Sequence, residues 1–457
     1  MKSVRIGAGQ GFYGDTPEGA IAVAERGEVS YICCDALAEL TMAILQKDRL
    51  RDPGAGFARD LPAFMRALLP IAREQGIRII TNAGGMNPAA AAAAVRGVAH
   101  ELGIAGVTVA TVTGDDITGR IDELLASGVD LRNVDTGADL ATVRDRVVFG
   151  VAYLGAQPVV EALRLGADVV VTGRVADASL FVAPMVHELG WGWDDWDRLA
   201  AGVVLGHLME CSGQATGGNY SGDWWNIPDL DRIGYPLCEV SEDGSALLTK
   251  PAQTGGRVSV ETVGEQLLYE VLDPRRYLNP DVVADFTSVR LEQVATDTVS
   301  VRDVRGSARP AQLKAVIGYL DGWLGAAMIG YSWPHALAKA RHAAVLIDRL
   351  AERAGVLPVE QVVEYIGVNS LHGDAADLAG AAAANEVVLR VAGRFAAEAD
   401  ARAFPRLAIP LALNGPPFIG GGATPQPARA LLGVWPALVP RERVEDQVAV
   451  ALGAPAT

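Results

Sequence analysis

The chain has 457 residues, of which 50% are hydrophobic and 21% charged, and its formal net charge is −16 at pH 7. This length suggests about two or three domains, and the composition is that of a well-packed soluble α/β protein rather than a disordered or repeat chain. The acidic balance argues against nucleic-acid backbones and anionic membrane surfaces, so we expect a small-molecule substrate or a protein partner.

The cysteines and the apolar runs indicate the compartment. The four cysteines give neither a disulfide framework nor the paired spacing of a zinc site; they are Cys33, Cys34, Cys211 and Cys238. The N-terminus lacks a signal-peptide pattern, and no apolar run reaches the roughly 18 residues of a membrane span. We therefore expect reduced thiols, no membrane association and a cytoplasmic location.

Residues 1–190 show strands alternating with helices. The predicted strands are 4–8, 29–34, 78–81, 107–112, 151–154 and 169–171. Near-continuous apolar strands separated by helices are typical of a parallel sheet that is covered on both faces. This part of the chain predicts a parallel, largely doubly wound α/β domain.

The sequence pattern changes beyond residue 190. Residues 191–235 form a Trp- and Gly-rich connecting segment, and 236–430 predict an α+β domain with many short strands. Within that domain we expect helices at 333–354 and 358–365 and a strand at 386–391. Residues 431–457 are expected to be a C-terminal tail.

Polar residues gather just after the predicted strands of the first domain. In parallel α/β sheets this carboxyl edge is where ligands bind. The candidates there are Gln10, Tyr13, Asp35, Asn82, Arg174 and Asp177. An arginine leaving a buried strand can bind a carboxylate or phosphate with two hydrogen bonds; a structural pair of Arg174 with Asp177 is the alternative.

The most informative stretch is 207–219, HLMECSGQATGGN. His207, Glu210 and Cys211 have helical i, i+3, i+4 spacing and would share one face, while the glycines that follow must end the helix. The stretch also supplies Gln214, Thr216, Gly217, Gly218 and Asn219 as candidate ligand contacts. An ordinary helix with a C-terminal turn is the alternative interpretation.

This helix face could support two kinds of chemistry. Cys211 would be a nucleophile only if His207 or another base lowers the pKa of its thiol; otherwise it is a buried, inert cysteine. A metal site built on His207, Glu210 and Cys211 lacks a clear fourth ligand, so we expect no metal.

Two glycine patterns point to backbone contacts with a ligand. Residues 9–14 match G-x-G-x-x-G between a strand and a helix, but bulky neighbours and the acidic Asp15 make a dinucleotide cofactor the minor alternative. Thr216-Gly217-Gly218 recurs as Thr254-Gly255-Gly256, and two such loops could pair their N–H groups as an anion or oxyanion nest.

Six or more multi-residue motifs, in order, resemble one known family. They are GAGQGFYGD (7–15), CDALAELT (34–41), TNAGGMNP (81–88), YLGA (153–156), VTGRVAD (171–177), ATGGN (215–219), TGG (254–256) and EQLLYE (265–270). The chain is identified by them as similar to the acyclic terpene utilisation (AtuA) family, strongly over about 4–340 and loosely beyond. It reads Cys-Ser-Gly at 211–213 where the family pattern expects Cys-Gly-Ala.

The resemblance implies a metabolic context but no particular reaction. Such proteins belong to the degradation of citronellol- and geraniol-type terpenes through branched acyl-CoA thioesters. A small ferredoxin-fold domain often accompanies them; its motif is absent here, which implies a separate small subunit as a partner. We also expect a homo-oligomer.

We expect an enzyme acting on a small branched carboxylic acid or its acyl-CoA thioester, most economically a hydro-lyase that hydrates or dehydrates a C=C bond. Acid/base groups and an anion anchor suffice for this reaction, with no cofactor beyond the CoA of the substrate. The catalytic candidates are Asp35, Asp177, Glu210 and Cys211. The alternatives are a non-catalytic acyl-binding or scaffold subunit, and cysteine-dependent acyl transfer or thioester hydrolysis.

Overall fold

The computed structural model describes residues 2–455, apart from the side chains of 421–423. Its strands, numbered in chain order, are β1 Ser3–Gln10, β2 Tyr31–Cys34, β3 Arg78–Thr81, β4 Val109–Thr113, β5 Val147–Ala152, β6 Val169–Thr172, β7 Leu237–Ser241, β8 Ala246–Thr249, β9 Tyr277–Leu278, β10 Val283–Asp285, β11 Arg290–Ala295, β12 Thr298–Arg302, β13 Arg305–Ser307, β14 Gln312–Ser332, β15 Glu360–Ile366, β16 Glu386–Phe395, β17 Ile419–Pro425, β18 Arg429–Pro440 and β19 Ala449–Leu452.

The α-helices are likewise numbered in chain order. They are α1 Glu18–Arg26, α2 Glu39–Arg51, α3 Leu61–Gln75, α4 Pro88–Glu101, α5 Ile121–Ala126, α6 Gln157–Arg164, α7 Asp177–Leu189, α8 Trp196–Met209, α9 Val260–Leu268, α10 Ala336–Ala354, α11 Glu398–Ala403, α12 Leu411–Asn414 and α13 Glu442–Glu445. Among the residues described, no helix is both long and apolar enough to cross a membrane.

The chain divides into two compact units. The first comprises Met1–Arg144, Val148–Gly318 and Val434–Thr457, and the second comprises Asp145–Val147 and Tyr319–Gly433. The expected boundary near residue 236 does not hold, because β7 and β8 continue the sheet that the N-terminal strands begin. The expected tail is not a tail either: within it β19 pairs with β4, while 456–457 lie outside the described residues.

The first unit is built on a mixed ten-stranded sheet in the order β11-β12-β8-β7-β1-β2-β3-β6-β4-β19. The central strands β1, β2, β3, β6 and β4 run parallel to one another. Antiparallel strands extend both edges, starting with β7 beside β1 and β19 beside β4. The predicted parallel sheet is therefore the middle of a mixed α/β sheet; that helices wind around both of its faces stays a prediction.

The parallel strands are short and apolar. All four residues of β2, and all four of β6, are buried. Short β-branched runs such as VVVT suit a strand with no solvated face. The strand order brings the carboxyl ends of β2, β3, β6 and β4 side by side, and this edge carries the candidate site.

Two buried helices, α7 and α8, lead from that edge to the 207–219 stretch. Gly190 adopts φ 70° and ends α7 in the left-handed conformation that glycine tolerates best. A Cβ on Gly206 would lie 2.6 Å from the Ala178 carbonyl oxygen, so glycine permits the close approach of α8 to α7. This packing fixes the C-terminal end of α8, where His207 and Glu210 lie.

The second unit has its own antiparallel sheet, in which β15, β16, β14 and β17 are neighbours in that order. The helix α10 supplies buried alanines and leucines to its core. The expected helix at 358–365 is wrong, because Glu360–Ile366 is strand β15, paired antiparallel with β16 from Glu360 to Ile366.

Candidate functional site

The carboxyl ends of the parallel strands hold a connected group of polar residues. The Asn82 side chain donates from Nδ2 to Oδ1 of Asp35 at 2.5 Å and accepts from the Ala36 backbone N–H at 2.7 Å. The Arg174 backbone N–H donates to Asp115 at 2.6 Å. Asn82 thus orients Asp35, and Asp115 fixes the turn that carries Arg174.

Arg174 is 2% exposed, although its head is cationic. Its Nη1 donates to Asp177 Oδ1 at 2.7 Å and to the Leu37 carbonyl at 3.1 Å, while Nε is buried without a hydrogen-bond partner. Arg174 and Asp177 thus form the structural pair that was the alternative interpretation, yet this pair does not use all of the N–H donors of the guanidinium. Nε is left able to donate to an anionic ligand.

Tyr153 holds the Arg174 guanidinium in place. The guanidinium carbon lies 4.2 Å from the Tyr153 ring centroid, and the Lys314 ammonium lies 4.7 Å from the same centroid. The Tyr153 hydroxyl and the Lys314 ammonium both donate to Glu39 Oε1, at 2.7 and 2.8 Å. Burial alone would raise the pKa of Glu39, but Lys314 lowers it to about 2, so Glu39 stays anionic.

His207 and Glu210 form a buried pair at the end of α8. Nδ1 of His207 lies 2.9 Å from Oε1 of Glu210, and Nε2 lies 2.9 Å from the Gln266 carbonyl oxygen. The Gln266 side chain donates back to the His207 carbonyl at 2.8 Å, which locks α9 against α8. The rings of Tyr277 and Phe286 pack on the imidazole at centroid distances of 5.8 and 5.4 Å.

The partners of His207 determine where its protons lie. A carbonyl oxygen only accepts, so Nε2 must carry a hydrogen. One further proton then bridges Nδ1 and Oε1, giving either an imidazolium with a carboxylate or a neutral pair. Burial opposes the cation, but the hydrogen bond that His207 donates to Glu210, together with the charge of Glu210, raises the pKa of His207 overall, which favours the imidazolium and carboxylate form.

The second oxygen of Glu210 is the most unusual atom of the site. Glu210 is 8% exposed and its Oε2 is buried with no hydrogen-bond partner. Burial raises the pKa of Glu210, against the lowering effect of His207, and Asp177 raises it further. A buried carboxylate oxygen held on one side only is a group able to take a proton from a bound ligand.

Asp35 lies within electrostatic range of the same groups. Burial raises the pKa of Asp35 well above its usual range, and the Asp177 charge and, more weakly, Glu210 raise it further, while Arg174 and the Asn82 hydrogen bond oppose the shift. The environment therefore favours a protonated Asp35. Burial raises the pKa of both carboxyls, but His207 opposes that shift at Glu210, and two carboxyls in such different surroundings can divide into an acid and a base.

Cys211 lies beside this group, but its surroundings do not activate it. Burial raises the pKa of the Cys211 thiol, and the charge of Glu210 raises it further. A thiolate nucleophile needs the opposite environment. This environment therefore favours the neutral thiol of Cys211 over the thiolate.

The G-x-G-x-x-G loop is closed by its own aspartate. The Gly11 N–H donates to Asp15 at 3.1 Å, and Ser212 and Tyr235 donate their hydroxyls to the same carboxylate at 2.5 and 2.7 Å. Gln10 donates to Asp60 at 3.0 Å. A pyrophosphate would have to displace Asp15, which disfavours the dinucleotide alternative. Tyr13 lies beside Arg59 and Asp60.

The two Thr-Gly-Gly loops contact each other rather than forming an open nest. The Arg257 N–H donates to the Thr216 carbonyl at 2.7 Å. The glycine amides are bonded within the protein: Gly217 to Gln214, Gly218 to Gly213, Gly255 to Arg232 and Gly256 to Pro228. These amides, and with them Thr254, are not presented to a ligand. Gln214 instead donates to the Gln266 side chain at 2.7 Å and accepts from Asn219 at 3.3 Å.

The structure therefore sorts the expected residues into two sets. One set lies together near the carboxyl edge of the sheet and comprises Asp35, Asn82, Arg174, Asp177, Glu210 and Cys211. The amides of the Thr-Gly-Gly loops form the other set and are hydrogen-bonded within the protein. In residues 2–455, no group of three or more His, Cys, Asp or Glu is placed to hold a metal ion. The sequence patterns predict no role for three residues of the site. Tyr153 and Gln266 lie inside the YLGA and EQLLYE motifs, and Tyr277 lies outside all of the motifs.

Residues 4–450 match the model of a family described as "Acyclic terpene utilisation family protein AtuA".

The chain belongs to the acyclic terpene utilisation (AtuA) family. The match spans both units, so the family assignment extends beyond the residues whose motifs carried the initial resemblance. No curated protein matches the sequence. The family description refers to acyclic terpene utilisation and names no reaction.

Proposed function

We propose that this AtuA-family protein is a hydro-lyase that adds water to, or removes it from, a C=C bond beside the carboxyl or thioester carbonyl of a small branched acid. One observation carries the proposal: the buried, unpartnered Oε2 of Glu210, whose other oxygen is held by His207. Asp35 interacts electrostatically with both Glu210 and Arg174, which supports Asp35 as the acid and Arg174 as the anion anchor.

Each group takes a defined role in the dehydration direction. Glu210 Oε2 removes the proton from the carbon next to the carbonyl, and His207 stabilises the carboxylate before that transfer. Arg174 Nε donates to the carbonyl or carboxylate oxygen, where negative charge develops. Asp35 gives its proton to the leaving hydroxyl, which departs as water; hydration is the reverse, with every proton returned.

The charge balance of the site supports this division. With all groups ionised, Asp35, Asp177 and Glu210 give three negative charges against the positive charges of Arg174 and His207. An anionic substrate would deepen this excess, so its binding favours a protonated Asp35. The acid would thus be in its working form when the substrate is bound.

The reaction uses no organic cofactor; the CoA of a thioester substrate would be a part of the substrate that contributes to binding. The structure favours this acid/base route over acyl transfer through Cys211, because burial raises the pKa of that thiol. A separate small subunit stays part of the proposal, and assays should include any small protein encoded beside this one.

The test is a panel of branched unsaturated and 3-hydroxy acids, free and as CoA thioesters, followed by the absorbance of the conjugated double bond. We expect the wild type to interconvert at least one pair and Glu210→Gln to lose roughly a hundredfold or more in rate. Glu239→Gln, at an exposed position on β7, is the matched control and should keep the wild-type rate. Saturable binding without turnover would instead identify a non-catalytic acyl-binding subunit.

A further inference from the structure

The small three-stranded sheet of the first unit has two different faces. Its strands are neighbours in the order β13-β10-β9. Ala284 is opposite both Gly306 and Tyr277, and Val283 is opposite both Ser307 and Leu278. Because residues directly opposite share a face, each of these two rows belongs to one side of the sheet.

The row containing Ala284 faces the protein interior. Ala284 is fully buried, and a Cβ on Gly306 would lie 2.2 Å from the Trp196 carbonyl oxygen on α8. The Tyr277 ring packs on His207. This face is therefore occupied by α8 and by the candidate catalytic site.

The row containing Val283 lies on the other side and forms the floor of a cavity. The cavity has a volume of about 550 Å³, within the roughly 300–1,000 Å³ range of small-molecule sites. Leu278, Val283 and Leu438 give it an apolar surface, and Ser307 and Gln312 add polar groups. It is separate from the site of Glu210, because β9 and β10 lie between them.

Two adjacent arginines, Arg275 and Arg276, line the same cavity. Both are exposed, and within residues 2–455 neither guanidinium forms an ion pair. The acid next to them, Asp273, accepts a hydrogen bond from the Arg275 backbone N–H at 3.1 Å. In a chain with 39 basic and 55 acidic residues, two neighbouring unpaired guanidinium groups make a local positive field.

A buried arginine makes one wall of the cavity rigid. Arg441 is 8% exposed and donates to the carbonyls of Pro280 and Pro310, at 2.5 and 3.1 Å. Its Nη1 pairs with Glu445, which also pairs with Arg309, so this carboxylate is already neutralised. Glu445 therefore adds no uncompensated negative charge to this wall of the cavity.

We propose that this cavity is a second ligand site, distinct from the catalytic one, which binds a small amphipathic anion. The carboxylate or phosphate head lies against Arg275 and Arg276, where a guanidinium can donate two parallel hydrogen bonds. The apolar chain covers Leu278, Val283 and Leu438. This inference goes beyond the proposed reaction and does not depend on it.

Isothermal titration of the full chain tests the proposal with four probes: octanoate, octyl phosphate, the neutral octanamide and inorganic phosphate. We expect saturable binding of one or both amphipathic anions, with octanamide and inorganic phosphate at least roughly tenfold weaker. If only octanoate binds, the head group is a carboxylate; if octyl phosphate binds more tightly, it is a phosphate. Equal binding of octanamide would contradict an anion site.

Variants locate the binding. Arg275→Gln with Arg276→Gln should weaken the anion at least roughly tenfold, and Leu278→Asp should do the same from the apolar side. Arg290→Gln, an exposed arginine on β11, is the matched control and should bind like the wild type. Unchanged binding in the double variant, or binding lost in Glu210→Gln but kept in the double variant, would overturn the proposal.

Discussion

The buried pair of His207 and Glu210 makes a quantitative prediction about stability. His207→Ala removes the ring that packs on Tyr277 and Phe286 and leaves a buried carboxylate unpaired, which should cost about 3–5 kcal/mol of unfolding free energy. Glu210→Gln keeps a hydrogen bond to Nδ1 but loses the charge, which should cost about 1–2 kcal/mol. The double variant should be less destabilised than the sum.

The coupling energy of the pair is the difference between the summed losses of the two single variants and the loss of the double variant. A hydrogen bond between charged partners contributes about 1.5–3 kcal/mol, so we expect a coupling of that size between His207 and Glu210. The exposed pair of Arg66 and Glu101, at 2.8 Å, is the control, and its coupling should stay below about 1 kcal/mol. Urea unfolding followed by tryptophan fluorescence measures all of these variants.

The coupling should also depend on pH in one direction. Because the pKa of His207 is raised in the folded protein, the stabilisation is complete below the pKa of about 6.5 that it has when unfolded. It is lost as the pH rises through the folded-state pKa. A coupling below about 0.5 kcal/mol that does not change between pH 6 and pH 9 would refute the proton-sharing pair.

Three further predictions concern neighbouring residues. Because burial raises the pKa of Asp35, the contribution of this residue to stability is lost as the pH rises through its folded-state pKa. In thermal unfolding, the Tm of Asp35→Asn should therefore rise relative to that of the wild type between pH 5 and pH 8. If the two Tm values respond equally to pH, the assignment of Asp35 as a buried acid is contradicted. Since the pKa of Glu39 is lowered to about 2, Lys314→Met should lose stability relative to the wild type above the unfolded pKa of Glu39, and this deficit should shrink as the pH falls from about 4.5 to about 2; a constant difference between Tm values would argue against that ion pair. Cys211→Ala should keep turnover within about threefold, because the thiol is not activated, whereas a hundredfold loss would favour the nucleophile.

The strand-end residues of the site could be predicted from sequence because the carboxyl ends of parallel strands meet at one edge. Short buried runs such as 169–171 identify the strands, and Asp35, Asn82 and Arg174 follow them directly. The i, i+3 spacing of His207 and Glu210 likewise places the two on one helix face. Local patterns sufficed for both inferences.

Other features depend on tertiary packing that local patterns do not encode. The antiparallel addition of β7 and β8 to the sheet is such a feature, since nothing in their sequence distinguishes an edge extension from a new domain. The sequence pattern predicts a helix where β15 lies, yet Val362, Val363 and Tyr365 favour a strand once β16 is beside it. Nor could sequence show that Gln266 fixes the proton on His207, or that the Thr-Gly-Gly amides are already bonded.

The most direct test of the proposed reaction separates the base from the acid. With a 3-hydroxyacyl substrate in D2O, the base alone exchanges the proton on the carbon next to the carbonyl, whereas loss of water also needs the acid. NMR of the substrate should show that Asp35→Asn still exchanges this proton but eliminates little water, and that Glu210→Gln does neither. Exchange by Glu210→Gln at the wild-type rate would contradict the assignment of Glu210 as the base.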